Sequence, residues 1–412
     1  MKKLRFITVV ILFLGILSGP VAGCQTRPTP PTPTTPSPPP SQRPKPAGYE
    51  TVIFPDKNLE AAIRDALGKP EGEEMTHAEL AGLTELCLSD RGIADISGLE
   101  YCASLTNIAL SGNPISDISP LSSLTNLTTL SLTGVQISDI SPLSSLTNLT
   151  KLGLGHNQIS DISPLSSLTN LTELHIYMNQ IVDLSPLSSL SNLARGDLRH
   201  NQINDVSPLA SLTSLKGLSL GDNQISDISP LSSLTNLTWL ELDGSQIGDI
   251  SSLSSLTNLT GLSLIGCQIS DISPLAYLIN LNDLLLHENR ISDISPLSSL
   301  TNLTLLYLDG NLISNISPLS SLTNLNWLSL SWNQISDIYL LSSFTDLMWL
   351  DLSGNQIGDI SPLLENPGLG SGDEVWLKGN NLDLRQGAEA MENIKALEQR
   401  GVTVHLNDEP AR

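Results

Sequence analysis

Aromatic residues make up only 4% of this 412-residue chain, while hydrophobic residues together make up 40%. So few rings exclude a core built on aromatic clusters and leave Leu, Ile and Val to fill the interior. Positive charge is also sparse: 20 Lys and Arg stand against 42 Asp and Glu, a net charge of −22. That balance opposes nucleic acid, whose phosphates need cationic partners. The one long apolar run, Phe6 to Leu17, falls short of the roughly 20 residues that cross a membrane comfortably. There is no phosphate-cradling glycine loop, paired-cysteine spacing or Ser/His/Asp order in a convincing setting. Neither an enzyme nor a resident cofactor or metal is expected.

The N-terminus reads as a separate unit. Lys2, Lys3 and Arg5 precede the apolar run, which ends Val21-Ala22-Gly23-Cys24. This resembles a bacterial lipobox and implies a lipoprotein signal peptide at 1–23, lipidated (for instance by palmitate) on Cys24. Residues 24–48 are rich in Pro and Thr, cannot bury a core and favour extended polyproline II, so they read as a tether. With Cys24 lipidated, Cys87, Cys102 and Cys267 give no disulfide framework. Cys87 is expected outward and Cys102 inward, making a bridge between them improbable.

What the chain has in abundance is one pattern, L-x-x-L-x-L-x-x-N-x-I-x-D-I-x-P-L-x-x-L-x-x, returning every 22 residues from Leu86 onward. Anchored on its Asn, the pattern runs through Asn113, Asn157, Asn179, Asn201, Asn223, Asn289, Asn311, Asn333 and Asn355. Arg91, Val135, Ser245 and Cys267 stand in the same column, and a further turn ends at Asn380. In L-x-L the leucines turn inward and the residues between them outward, as in a short strand. No turn can bury its leucines alone, so neighbours must stack. This pattern resembles the short leucine-rich repeats of bacterial internalins. The resemblance implies an α/β solenoid: a curved leucine-rich-repeat with a concave parallel sheet and convex 3-10 or short helical turns. It would carry a helical N-terminal cap at 49–84, about 14 turns at 85–382, and a helix–strand C-terminal cap at 383–412.

Individual columns carry further expectations. The ladder Asn should bond backbone groups at each bend, with Ser245 and Cys267 as partial substitutes and Val135 as none. Gly196, standing where a core Leu belongs, should leave a packing defect. Ser-Pro-Leu-Ser-Ser-Leu reads as a helical-turn start with Ser as the cap. Twelve Asp from Asp95 to Asp359 stack in register, interrupted by Asn315; each is read as bonding its own loop rather than forming a calcium stripe. The Asn-Leu-Thr sequons, beginning at Asn126, are read as repeat residues. In the N-terminal cap, Leu59, Ile63 and Leu67 predict an amphipathic helix after Asp56, and Thr76-x-x-Glu79 predicts a capping box. Gly387 to Arg400 predicts a C-terminal helix, with a strand at 402–404.

Turns differ from one another mainly at outward positions, and all five Trp lie there. Trp239, Trp327 and Trp349 share one column, Trp376 stands two places on, and Trp332 immediately precedes the ladder. With Glu241, Asp243, Tyr307, Asp309 and Asp351 they form the candidate ligand-binding surface; Asp283 and Glu288 lie among them. Trp and Tyr anchor interfaces because they bury much area at little rotamer cost. A second patch comprises His175, Tyr177, Arg195, Asp197 and Arg199, flanked by Lys151, His156, Glu173 and His200. An open sheet face is expected to be hydrated, which argues against metal or acid–base chemistry at His175 and Asp197. The sequence thus points to a non-enzymatic, surface-tethered protein-binding module, adhesin-like or receptor-like, using its concave face. Its expected partner is a basic or amphipathic protein, with an envelope glycan or a mere spacer role as alternatives. The expected state is a monomer on the outside of a bacterial membrane, contacting that membrane through its lipid alone. Internalin-type sorting signals and an added immunoglobulin-like domain are missing before Arg412.

Overall fold

In the computed structural model, residues 50–406 are described. The lipobox, Cys24 and the tether lie outside them, as do the last residues of the C-terminal cap. The described chain divides at Asp197/Leu198 into two units.

The first unit opens with α1 (Lys57–Leu67) and α2 (His77–Leu80). Asp56 caps α1 by accepting from the amides of Asn58 and Leu59. Its other oxygen accepts from Ala94 and Asp95 of the first turn. Desolvation opposes the charge on Asp56, but these amides together hold its pKa below the usual carboxylate range. One side chain therefore starts the helix and fastens it to the repeats. Phe54, Leu59 and Ile63 are buried, closing the end of the leucine core. The capping box at Thr76 and Glu79 forms as predicted.

Six strands follow in this unit: β1 (Glu85–Cys87), β2 (Asn107–Ala109), β3 (Thr129–Ser131), β4 (Lys151–Gly153), β5 (Glu173–His175) and β6 (Arg195–Asp197). They pair in parallel and in chain order with the repeat's own register, Leu130 opposite Leu152 and Leu174 opposite Gly196. The second unit contains β7 (Gly217–Ser219), β8 (Trp239–Glu241), β9 (Gly261–Ser263), β10 (Asp283–Leu285) and β11 (Leu305–Tyr307). It continues with β12 (Trp327–Ser329), β13 (Trp349–Asp351), β14 (Glu374–Trp376) and β15 (Thr403–His405). These too pair in parallel and in order, so each unit is a leucine-rich-repeat solenoid. The strand predicted at 402–404 lies one residue later and extends the sheet beyond the last repeat. α3 (Ser361–Glu365) replaces a 3-10 turn just before the insertion near Asn366, and α4 (Glu389–Gln399) buries Ala390, Ile394 and Leu397.

The ladder works by hydrogen bonding. Asn157 donates to the carbonyls of Leu132, Leu154 and Gly155, and its Oδ1 accepts from Ile137 of the preceding turn. Cys267 reproduces part of this through Sγ to Leu242 O. Ser245 does not: its hydroxyl is buried without a partner, because the side chain is too short to reach the facing carbonyls. A second ladder, of the sequon asparagines, donates from each Nδ2 to a carbonyl one turn back, as Asn148 does to Thr125 O.

The opposite side is made of 3-10 turns such as Ser119–Ser123 and Ser229–Ser233. Here Ser is not the cap, contrary to expectation. The cap position is the buried Ile, Ser and Pro occupy the first two turn positions, and Ser makes no capping bond. The Asp two residues earlier does that work, its Oδ1 accepting from the Ser amide at about 2.8 Å, as Asp117 does from Ser119 and Asp227 from Ser229. Asn315 makes the same bond to Ser317. The Asp column therefore bonds its own loops.

Candidate functional site

The five Trp fall on three positions of the strand side, all in the second unit. Trp239, Trp327 and Trp349 are the first residues of β8, β12 and β13, and Trp376 is the last of β14. Each stands beside a buried inward residue, Leu240, Leu328, Leu350 or Val375. Trp327 lies opposite Trp349 in the sheet register. Their ring centroids are 6.3 Å apart, and Trp349 lies 5.8 Å from Tyr307. His287, just after β10, adjoins that Tyr at 6.3 Å, so four rings run continuously across four successive turns. A separate stack joins Trp376 to His405 at 3.7 Å.

These rings are less open than the sequence suggested. Trp332 alone among the tryptophans is exposed, at 66%, while the other four are half-buried. The turns stack so closely that an outward ring lies down on its neighbour. Trp239 lies across Gly261 of the next strand, where a Cβ would come within 2.2 Å of the ring. Trp332 covers Gly354 in the same way, and Tyr177 of the first unit covers Gly155.

The same close packing buries carboxylates and overturns the expectation of a hydrated face. Desolvation pushes the pKa of Asp283 up to about 6 and raises those of Asp243 and Asp351. Asp243 accepts from Ser263 Oγ at 2.6 Å and from the Ile265 amide at 2.8 Å. Asp309 accepts from the hydroxyls of Ser329 and Ser331, and Asp351 from the Ser353 amide at 2.8 Å. Desolvation, then the charges of Asp309 and Asp351, raise the pKa of the Tyr307 hydroxyl.

The second patch is divided. In the first unit, Glu173 bridges Lys151 at 3.1 Å and Arg195 at 3.0 Å. His156 meets the edge of Tyr177 at 6.0 Å. His175 and Asp197 face each other in register on β5 and β6 and are 7% and 0% exposed. Water is therefore largely excluded there, contrary to expectation, because side chains on adjoining turns close over the short strands. Arg199 and His200 belong to the second unit, where Arg199 lies 3.7 Å from Glu241 of the aromatic patch and His200 lies 3.3 Å from Asp222.

Sequence reasoning passed over two histidines, one in the aromatic row and one in the separate stack on Trp376. His287 occupies the same outward column as Asp243 and Asp309, so the repeat register could have found it. His405 lies in the cap, outside any repeat, and carried no such signal. Among the described residues no cluster of three or more His, Cys, Asp or Glu could hold a metal ion. Cys102 and Cys267 are buried free thiols, their pKa pushed up to about 12 by desolvation, so Cys102 makes no bridge to Cys87.

Residues 103–145, 147–189, 197–233 and 235–277 match the family described as Leucine Rich repeats (2 copies). No curated protein sequence matches the chain. An internalin of Listeria monocytogenes, InlF, is similar over 77% of this chain and 94% of its own, at 42% identity and a TM-score of 0.74. The ectodomain of the Arabidopsis thaliana receptor kinase GASSHO1/SCHENGEN3, solved with CASPARIAN STRIP INTEGRITY FACTOR 2, shares the fold at 23% identity. Its TM-score is 0.56, over 74% of this chain and 45% of that one. TLR13, solved with ssRNA13, shares the fold at 23% identity and a TM-score of 0.60, over 79% and 51% of the two chains. None of these matches indicates an enzymatic family. By its repeat register, its ladder and its likeness to InlF along nearly the whole length of that protein, this chain belongs to the internalin-like leucine-rich-repeat family.

Proposed function

We propose that this chain is a non-enzymatic protein-binding module, tethered outside a bacterial membrane by lipid on Cys24, that takes its partner on the strand face between Trp239 and Trp376. The observation that carries this reading is the row Tyr307, Trp349 and Trp327. Three large side chains lie together on the variable side of a sheet whose other side is mostly leucine. A stack of repeats takes its stability chiefly from the inward side, so a row of large rings on the outward side points to recognition. The receptor ectodomain solved with its factor supports a protein or peptide partner. TLR13 shows that the fold can also accompany RNA, but a net charge of −22 opposes a polyanion on this chain.

The test uses the full-length lipidated chain on cells. A photo-reactive phenylalanine analogue is placed at Trp332 on the strand side or at Ser298 on the 3-10 side. A partner crosslinked from the first position only, and lost in Trp327→Ala/Trp349→Ala, is expected. The same species from both positions would refute the assignment. In parallel, Cys24→Ala should release the chain from the membrane fraction and abolish palmitate labelling; retention there would refute the anchor.

The one observation favouring a glycan is Trp332, an exposed indole lying flat over Gly354, a platform on which a sugar ring could stack. Glycan-array binding that disappears in Trp332→Ala, with no protein crosslinked, would establish that reading instead.

A further inference from the structure

We propose that the aromatic row on β11 to β13 is a receptor for a guanidinium group, so that the partner inserts an arginine side chain between the rings and the carboxylates of Asp309 and Asp351. This rests on the strand-face reading above and specifies the chemistry of its partner.

Two independent features meet at one place. The first is the row itself, with Tyr307, Trp349 and Trp327 at centroid spacings of 5.8 and 6.3 Å. Ring faces carry negative quadrupole charge and attract cations, and a flat guanidinium also stacks on them. The second is the pair of carboxylates placed against that row. Tyr307, Ser329 and Asp351 stand opposite one another on β11, β12 and β13, and Asp309 accepts from the hydroxyl of that same Ser329, so both carboxylates adjoin the ring. Among the described residues this pair accepts hydrogen bonds from the hydroxyls of Ser329 and Ser331 and the amides of Ser331 and Ser353. Among those residues no Lys or Arg pairs with either carboxylate, although Glu241, three strands from Tyr307, has Arg199 at 3.7 Å. Two carboxylates held close in a partly dehydrated setting repel until a cation arrives. A guanidinium suits this pairing of rings and carboxylates in charge and shape, because its fork can bond carboxylate oxygens while its plane rests on a ring. An ammonium supplies the charge without the plane.

The test is a fluorescence titration of the tryptophans in the full chain with hexa-arginine, hexalysine and hexaglutamate peptides. Hexa-arginine should bind saturably and tighter than hexalysine, and hexaglutamate should not bind. Asp309→Asn/Asp351→Asn keeps the shape and one acceptor oxygen on each side chain, and should weaken hexa-arginine by about tenfold or more. Asp227→Asn/Asp249→Asn removes the same charge from the 3-10 side. It folds normally by the precedent of Asn315, and it should leave binding within about twofold. Equal weakening by both pairs would mean general attraction to an acidic surface and would overturn the proposal. Equal affinity for hexa-arginine and hexalysine would overturn it too. If peptide binding fails while the crosslinked partner persists, the guanidinium reading falls and the strand-face function stands. Loss of both removes both.

Discussion

At the scale of the residue, the most informative position is the one immediately before the ladder. The chain there adopts positive φ turn after turn: Gly310 and Gly354 at 62° and 66°, but also Glu288 at 59° and Trp332 at 54°. Glycine enters this region freely, whereas a bulky side chain is strained in it. Trp332 thus stands where the backbone favours glycine, and its ring remains exposed. A structural role would make it costly to lose. We expect Trp332→Gly to change unfolding stability by less than about 1 kcal/mol, since relief of strain offsets lost ring contact. Affinity for the partner identified by crosslinking should nevertheless fall in a direct binding measurement. A large drop in melting temperature would show that the indole is a packing residue.

Asp283 provides a second residue-scale expectation. Burial raises its pKa from 3.8 to about 6, so the folded state holds a proton that the unfolded state would release. The resulting stabilisation is complete below about pH 4 and is lost as pH rises through about 6. Asp283→Asn should therefore be more stable than the wild type at pH 7, by about 1–3 kcal/mol, with the difference vanishing near pH 4. Thermal melts at the two pH values decide it. The 3-10-side carboxylates behave oppositely. Asp139 and Asp293 have pKa values lowered by the backbone and hydroxyl of the following Ser, so they stabilise above the normal range and lose that contribution as pH falls.

At the scale of the element, the 3-10 turns are closed by one carboxylate each, with Asn315 in its place at Ser317. Asp205 accepts from both the amide and the hydroxyl of Ser207 at the start of the turn Ser207–Ser211. Asp205→Ala should cost about 1 kcal/mol, as loss of a cap does, and Asp205→Asn nearly nothing. Equal melting temperatures for wild type and Asp205→Ala would show that the Pro and the buried Ile hold the turn unaided. This role was half legible. The Asp column was correctly read as bonding its own loops, but capping was assigned to Ser by analogy with longer helices. A 3-10 turn shifts the cap one residue earlier, onto an Ile with no polar atom, and the Asp side chain reaches across to supply the missing acceptor. Ser245 misled in a similar way, since its polarity suited the ladder while its reach did not.

At the scale of the whole molecule, each unit is held together by contacts between neighbouring turns. Leu328 of β12 is fully buried between Leu306 and Leu350. Leu328→Ala should cost about 2–5 kcal/mol. Its hydrogen-exchange signature should be local, with β11 and β13 losing protection before β8, because turns interact in a nearest-neighbour fashion. Uniform loss of protection across the second unit would indicate that it unfolds as one block.

The repeat, its strand register, the ladder and the helical caps were determined by the sequence itself, because each is a local consequence of which residues recur at 22-residue spacing. The environment of the outward side chains was decided only by the tertiary structure. A column assignment says that Asp243, Asp283 and Trp239 leave the leucine core. It does not say that the next turn lies close enough to cover them. Burial on that face depends on what stands beside each residue one turn away, Gly261 beneath Trp239 or Ser263 against Asp243. Desolvation is a property of such neighbourhoods, and so the raised carboxylates and the continuous aromatic row appear only once the turns are stacked.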